Sequence, residues 1–254
     1  MTHYLYLVPL EDAVDSMEYG GKATQLNHAI KQKLPVPKGF VISNSLLEQV
    51  IQGQISLTSE LTLILKELGP IAVRSSAIGE DSQSKSYAGQ YSSLLNIASV
   101  TDAEQAIIAV QESVYSKRVK LYNARFGITD TPKMAVLLQQ MVTAKTSGIL
   151  FTQDPVAKTD EIIIEANWGL GETIASGQVI PDFFRLSQEG QILDKKAGNH
   201  THLLGNDLCL DEMELLQLHK LAKYCKNIFG KNLDIEWAFD QQRLYLLQCR
   251  PITC

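Results

Sequence analysis

Apolar and polar residues alternate along the chain in a way that predicts helices interleaved with strands. Residues 22–33 form a pattern typical of an amphipathic helix, and 39–43 form a short apolar run typical of a strand. A longer helix, interrupted or continuous, is predicted from Thr101, where TDAE matches a capping box, to about residue 125. Two buried strands and a last helix follow, at 134–142, at 161–166 and from Asp211 to about Phe229. This order predicts an α+β or mixed-sheet protein and not a helical bundle.

The closing segment, DIEWAFDQQRLYLLQCRPITC, predicts a β-hairpin with its turn in AFDQQR. Side chains of a strand alternate between two faces, so Asp234 and Glu236 point the same way, as do Gln248 and Arg250. We expect these four polar residues to share one surface. The apolar residues between them are expected on the other face: Ile235, Trp237, Leu247 and Cys249.

Four such polar residues together are typical of a metal-phosphate site. Carboxylate and amide oxygens suit Mg²⁺, which takes one or two carboxylates together with substrate phosphates. Arg250 adds a planar fork of donors that can bind a phosphate at two points. The alternative is a solvated strand edge that carries mixed charges. The common face between otherwise apolar strands favours the metal-phosphate interpretation.

Composition and charge narrow the class of protein. The chain has 254 residues, of which 45% are hydrophobic and 20% charged, as in an ordinary soluble globular protein. Its formal net charge of -5 argues against a general nucleic-acid binder. No secretory signal or membrane-spanning run is found, so we expect a cytoplasmic protein without a membrane partner. Four widely spaced cysteines without a CxxC pair predict reduced thiols with packing roles.

Two segments in the first third of the chain could supply donors for phosphate. EYGGKAT lacks the full Walker A pattern, but its double glycine places Lys22 at a predicted helix start, where backbone donors and an ammonium can meet an anion. Further on, an apolar strand delivers Arg74, and about fifteen small or polar residues follow, a length that is commonly functional. Gly79 and Gly89 would let backbone donors approach phosphates, as in a lid. A surface lysine and a flexible surface loop are the plainer alternatives.

The segment EANWGLGETIASG follows a predicted strand and carries a weaker signal. Ile174 stands where the dinucleotide fingerprint has its third glycine. Glu165 and Glu172 could bind sugar hydroxyls or a metal, or could only cap a turn. The histidines lack HExxH spacing and there is no GxSxG elbow, which removes the obvious zinc-protease and acyl-transfer interpretations.

Six motifs stand in order from about residue 10 to the C terminus: GGKATQLNHA, VRSSAIGEDSQSKSYAGQYSSLLN, LLQQMV, GILFTQDP, EANWGLGETIASG and DIEWAFDQQRLYLLQCRPIT. Together they resemble the nucleotide-binding domain of the phosphoenolpyruvate synthase and pyruvate phosphate dikinase family, which rifampin phosphotransferase shares. The resemblance implies an α+β, ATP-grasp fold in which two lobes clamp ATP between mixed or antiparallel sheets. The N-terminal lobe, 1–142, would hold the phosphate-binding lysine, Arg74 and the lid loop. The C-terminal lobe, 143–254, would hold the metal-binding hairpin.

The resemblance also implies a role for each matching residue. Three cations would act on the phosphates as catalytic residues: Lys22, Arg74 and Arg250. Gly89 and Ser93 would belong to the loop region that contacts ATP. A strand and hinge would lie against adenine: Gln139, Gln140, Met141 and Val142. Three oxygen donors would hold Mg²⁺: Asp234, Glu236 and Gln248.

For function, the resemblance implies a phosphotransferase that binds Mg-ATP, cleaves it to AMP and phosphate, and passes a phosphoryl group to a histidine. That histidine would lie on a partner chain or a further domain, because no histidine here sits in the family's small-residue motif. Two alternatives stay open: a stand-alone kinase or ligase that acts on a small molecule, and a non-catalytic nucleotide-binding module. Dependence on a histidine-bearing partner separates the first alternative from the family function, and ATP binding without products would favour the second.

Overall fold

The computed structural model describes residues 4–79, 81–82, 85–86, 91–126, 132–171, 179–199 and 208–252. The chain divides into two compact units, Met1–Lys31 with Pro37–Met141 and Gln32–Val36 with Val142–Cys254. It therefore passes between the units at three places, 31/32, 36/37 and 141/142. The functional roles predicted for 1–142 and 143–254 stay predictions.

In its described residues, the first unit combines a five-stranded antiparallel sheet with five helices. Its strands are β1 (Val8–Pro9), β2 (Gly39–Ile42), β3 (Ile71–Ala77), β4 (Asp81–Ser82), β5 (Lys85–Ser86), β6 (Ser93–Ile97) and β7 (Met134–Gln140). Its helices are α1 (Ser16–Lys31), α2 (Asn44–Ile51), α3 (Thr58–Leu68), α4 (Val100–Glu112) and α5 (Lys117–Phe126), with short 3-10 turns at Leu10–Asp12 and Ser113–Tyr115. The main sheet has the order β1-β2-β7-β3-β6, and β4 pairs with β5 separately.

The two faces of the first sheet have different neighbours because alternate residues of β3 point to opposite sides. Val73 and Ala77 join one large apolar cluster that includes Leu61 of α3 and Ile107 of α4. Ser76 instead contacts α1, since its hydroxyl accepts the backbone N–H of Ala23 at 3.0 Å. The face that carries Ser76 therefore also presents the other residues of the same parity to the side of α1.

The second unit is a six-stranded antiparallel sheet with one described helix. Its strands are β8 (Thr146–Phe151), β9 (Ile162–Trp168), β10 (Asp182–Leu186), β11 (Ile192–Lys196), β12 (Leu233–Phe239) and β13 (Leu244–Pro251), in the order β11-β10-β9-β8-β12-β13. The helix, α6 (Glu212–Phe229), lies against β12 and β13. The segment 32–36 reaches the β13 edge, where the Pro35 carbonyl accepts the N–H of Leu246 at 2.8 Å.

Most predicted elements are found, with shifted ends. The start of α6 is confirmed in detail, because Asp211 caps it and forms a capping box with Glu214. The helix predicted from Thr101 begins one residue earlier and its cap was wrong, since the Ser99 hydroxyl accepts the N–H of Asp102. The helix predicted at 22–33 spans Ser16–Lys31. Both sheets with their flanking helices confirm the α+β class.

Two other expectations concern membranes and thiols. No helix in the described part of the chain is long and apolar enough to cross a membrane. Cys209 and Cys225 are buried free thiols, as predicted, Cys249 is buried, and Cys254 lies outside the described residues.

Candidate functional site

The closing hairpin has the register that the sequence predicts for its polar face. Asp234 of β12 lies opposite Arg250 of β13, and Glu236 lies opposite Gln248. The strands are longer than expected, so that the turn is confined to residues 240–243, where the Asp240 carboxylate accepts two backbone N–H groups. Two carboxylates, an amide and a guanidinium therefore share one surface of the second unit.

The apolar face of this hairpin differs from the prediction at one residue. The register shifts between Glu236 and Trp237, so Leu246 and not Leu247 lies opposite Trp237. This is a β-bulge, in which one strand contributes an extra residue and twists more strongly. The bulge lets the fully buried Leu246 pack on the core side while Gln248 still shares the surface of Glu236. Such bulges are common beside functional sites.

Asp234 and Arg250 form a close ion pair. Nε of Arg250 donates to Asp234 Oδ2 at 2.8 Å, and Nη2 lies 2.7 Å from the same oxygen. The other carboxylate oxygen, Oδ1, is buried and accepts no hydrogen bond from the described residues. Burial raises the pKa of Asp234 above its ordinary value, and the adjacent guanidinium opposes this shift without cancelling it.

The polar surface extends across the sheet to Glu165. Glu236 lies opposite Ile149 of β8, which in turn lies opposite Glu165 of β9, so the two glutamates share one face two strands apart. Burial raises the pKa of Glu165 above its ordinary value. From the sequence, Glu165 was predicted to bind sugar hydroxyls or a metal, or only to cap a turn. It could not be grouped with the hairpin, because the sequence does not show that β8 lies between β9 and β12.

The oxygen donors on this surface fit a hard divalent cation. Glu236 and Gln248 form a direct cross-strand pair of a carboxylate and an amide, with Asp234 two residues from Glu236. These are the ligand types that Mg²⁺ accepts alongside water and phosphate. Within the described residues, no group of three or more His, Cys, Asp or Glu side chains could hold a metal by itself. The set therefore fits a cation that also takes ligands from a substrate.

In the first unit, a kink in α1 places Lys22. Gly20 has φ 77° and ψ 169° inside the helix, and a Cβ there would lie 2.0 Å from the Ser76 carbonyl oxygen. Only glycine accepts this backbone and this close approach. The Ser76 hydroxyl bridges the kink by donating to the Tyr19 carbonyl at 2.7 Å and accepting from Ala23. Lys22 is thereby buried, with Nζ donating to the Ser75 carbonyl at 2.8 Å.

Arg74 lies on the same face of the sheet as Ser76. Its Nη1 donates to Oε1 of Gln139 at 3.1 Å, and Ser93 of β6 lies directly opposite it. Arg74 and Gln139 are 9% and 2% exposed, so both side chains are held inside the unit. The first unit therefore brings together Arg74, Gln139 and Ser93 from the predicted set. Ser75, which accepts from Lys22, and Ser76, which bridges the kink beside it, were not predicted, although they directly follow Arg74.

The residues predicted against adenine end a strand. Gln139 and Gln140 are the last residues of β7, and Met141 follows with its N–H bonded to the Pro70 carbonyl. The Gln140 side chain donates to the Leu68 carbonyl at 3.3 Å. The chain passes into the second unit at Val142. The adenine role of these four residues stays a prediction, and Gly89, Glu172 and Ile174 lie outside the described residues.

Comparison with known protein families shows which family the chain belongs to. The model of the family described as "Pyruvate phosphate dikinase, AMP/ATP-binding domain" matches residues 55–254. The chain belongs to this family. The resemblance to this family in the six motifs is thereby confirmed. The antiparallel sheets with helices described above agree with the α+β class that the resemblance implied.

Relatives of the AMP/ATP-binding domain family are longer proteins. The prodigiosin synthesizing transferase PigC of Serratia marcescens is 32% identical over 92% of this chain and 31% of its own length. A rifampicin phosphotransferase of Bacillus subtilis is 35% identical over 72% of this chain and 23% of its own length. A probable phosphoenolpyruvate synthase of Archaeoglobus fulgidus is 27% identical over 92% and 39%. The chain thus spans about a third of the length of the curated relatives it matches.

Proposed function

We propose that the chain binds Mg-ATP and passes a phosphoryl group to a histidine on a partner chain or a further domain. The products would be AMP, inorganic phosphate and the phosphohistidine, with water supplying the oxygen of the released phosphate. One observation carries the proposal: the hairpin register that sets Glu236 opposite Gln248 and Asp234 opposite Arg250 on one surface. Membership of an AMP/ATP-binding domain family supports the nucleotide. ATP as substrate also favours the cytoplasm as the site of action.

Each group of residues has a task in this proposal. Glu236 and Gln248, with Asp234 beside them, would hold Mg²⁺, which when bound neutralises charge on the phosphates. Arg250 would bind the terminal phosphates, and Lys22 and Arg74 would stabilise the negative charge that spreads over the transferred group. Gln139 keeps Arg74 in place by accepting its Nη1 donor. No nucleophile is required from this chain, because the acceptor imidazole supplies it.

The names of the relatives bear on the acceptor. A rifampicin phosphotransferase, by its name, modifies a small molecule, and a phosphoenolpyruvate synthase makes a small phosphorylated product. Both proteins are longer than this chain. Transfer of the phosphoryl group from the histidine to a small molecule would therefore need residues beyond those matched here. We propose that a small molecule is the final acceptor and that the phosphohistidine is the intermediate.

The test uses ATP labelled at the β- or the γ-phosphate, with Mg²⁺ and a candidate histidine-bearing domain. We expect an acid-labile label on that domain, lost when its histidine is replaced, together with AMP formation. The matched control is the Glu236→Ala chain with the same domain. Turnover of a small molecule without any labelled histidine would overturn the proposal in favour of a direct kinase or ligase. ATP binding without AMP or ADP, with every candidate domain present, would favour a non-catalytic module.

A further inference from the structure

The contact between Asp234 and Arg250 is the most informative detail of the hairpin. Two donors of one guanidinium edge, Nε and Nη2, converge on Oδ2 at 2.8 and 2.7 Å. The side chains are only 12% and 20% exposed. Contact through two nitrogens of one edge turns that edge of the guanidinium toward Asp234, which a contact through one nitrogen would leave open.

Register alone does not produce such a contact. Arg185 of β10 and Asp194 of β11 are also directly opposite each other on neighbouring strands of the same sheet. Arg185 Nη2 lies 4.0 Å from Asp194 Oδ2, and Arg185 Nη1 lies 3.8 Å from Glu161. The Arg185 and Asp194 side chains are 40% and 31% exposed. Cross-strand register therefore does not by itself explain the close contact between Asp234 and Arg250.

A gain in folding stability does not explain why Asp234 and Arg250 are paired. The desolvation cost of burying two charges roughly cancels their attraction, so such an ion pair is weak evidence of a stabilising role. A rigid guanidinium has a clear use beside a phosphate site, because binding groups must be held close to their productive geometry. The position of Arg250 on the surface of Glu236 and Gln248 supplies that site.

We infer that Asp234 is a positioning residue, which through Oδ2 holds the guanidinium of Arg250 in the orientation that binds the terminal phosphates of ATP. This deepens the proposed function and rests on it. It also changes the role that the sequence suggested for Asp234, because a contribution to Mg²⁺ would have to come from Oδ1 alone. The primary oxygen donors for the cation are then Glu236 and Gln248.

The test is a double-mutant cycle on nucleotide binding by the full chain. Asp234→Asn, Arg250→Lys and the double variant are compared with wild type by titration calorimetry, with Mg-ATP and with AMP. We expect each single variant to weaken Mg-ATP binding about tenfold and the double variant to be little worse than either. AMP, which lacks the terminal phosphates, should bind all four proteins alike. Asp194→Asn is the matched control and should bind Mg-ATP as wild type does.

Three outcomes would overturn the inference. Effects of the two substitutions that multiply, combined with a raised Mg²⁺ requirement in Asp234→Asn, would make Asp234 a metal ligand. Weaker AMP binding in Asp234→Asn, together with a lower melting temperature, would make it a structural residue. Wild-type protein that binds no Mg-ATP would overturn the proposed function as well, whereas wild-type binding with independent variants overturns the positioning role alone.

Discussion

The two units hold their candidate phosphate-binding cations in different ways. In the first unit, Lys22 donates to the Ser75 carbonyl and Arg74 to the Gln139 amide oxygen, both of which are neutral acceptors. In the second unit, Arg250 contacts the carboxylate of Asp234 through Nε and Nη2. The Lys22 contact depends on the shape of the backbone around Gly20, and the Arg250 contact depends on charge across a hairpin. We therefore expect the first to fail through steric substitutions and the second through substitutions that change charge.

The largest effect is expected for Gly20→Ala. A Cβ at this position would lie 2.0 Å from the Ser76 carbonyl oxygen, and φ is 77°. Backbone strain and overlap together should lower the free energy of unfolding of the first unit by about 4 kcal/mol. Urea denaturation measures it. Gly53→Ala is the matched control, since φ is 71° there but nothing lies within 4 Å of a Cβ. Equal losses in both variants would show that strain alone, and not the contact with Ser76, fixes the kink.

Glu236→Ala should have the largest effect in the second unit without unfolding it. Loss of the carboxylate that we propose holds Mg²⁺ should reduce ATP cleavage about 100-fold or more, because charge on the phosphates is then poorly neutralised. Release of AMP in the presence of a histidine-bearing domain is the readout, and the melting temperature reports on the fold. Glu161→Ala is a control in the same unit, where the carboxylate lies 3.8 Å from Arg185. Wild-type turnover in Glu236→Ala would refute the metal assignment.

Lys22→Met tests the role of the Lys22 ammonium in the first unit. The substitution keeps an apolar stem of similar length and removes the ammonium, so we expect Mg-ATP to bind about tenfold more weakly. The fold should persist, because the substitution removes only a donor to the Ser75 carbonyl and leaves the backbone hydrogen bonds around it in place. Calorimetry with Lys33→Met, at an exposed position, provides the comparison. Unchanged affinity would remove Lys22 from the site.

The smallest effect is a pH dependence at Glu165. Burial raises its pKa above the ordinary value of 4.5, so the folded state favours the protonated carboxyl. The stability gained from that proton is fully present below the ordinary pKa and is lost as pH rises through the raised one. Glu165→Gln should therefore be more stable than wild type at about pH 7 and equal to it at about pH 4, by urea denaturation. The exposed Asp160→Asn should show no such difference, and a Glu165→Gln effect equal at both pH values would contradict the prediction.

The polar face of the hairpin could be predicted from sequence because strand alternation is a local rule. Asp234, Glu236, Gln248 and Arg250 follow it on both strands. The bulge at Leu247 could not be predicted, since LYLLQ offers two leucines for one place opposite Trp237 and only packing decides between them. The kink at Gly20 could not be predicted either, because it depends on close contact with Ser76, which lies in β3 and is distant in the sequence. The cap at Ser99 was missed because Thr101 offered an equally good local motif.

The segment Gln32–Val36 has a consequence for how this domain can be inherited or engineered. It belongs to the second unit although both its neighbours along the chain belong to the first, and its Pro35 carbonyl accepts the N–H of Leu246 on the β13 edge. A cut at 141/142 would give a C-terminal half in which the Leu246 N–H has lost its acceptor. The N-terminal half would carry residues 32–36 without the unit to which they belong. Recombination between relatives should therefore exchange residues 32–36 together with the second unit, as one block. Halves split at 141/142 should need to be co-expressed to regain the hydrogen bond between Pro35 and Leu246.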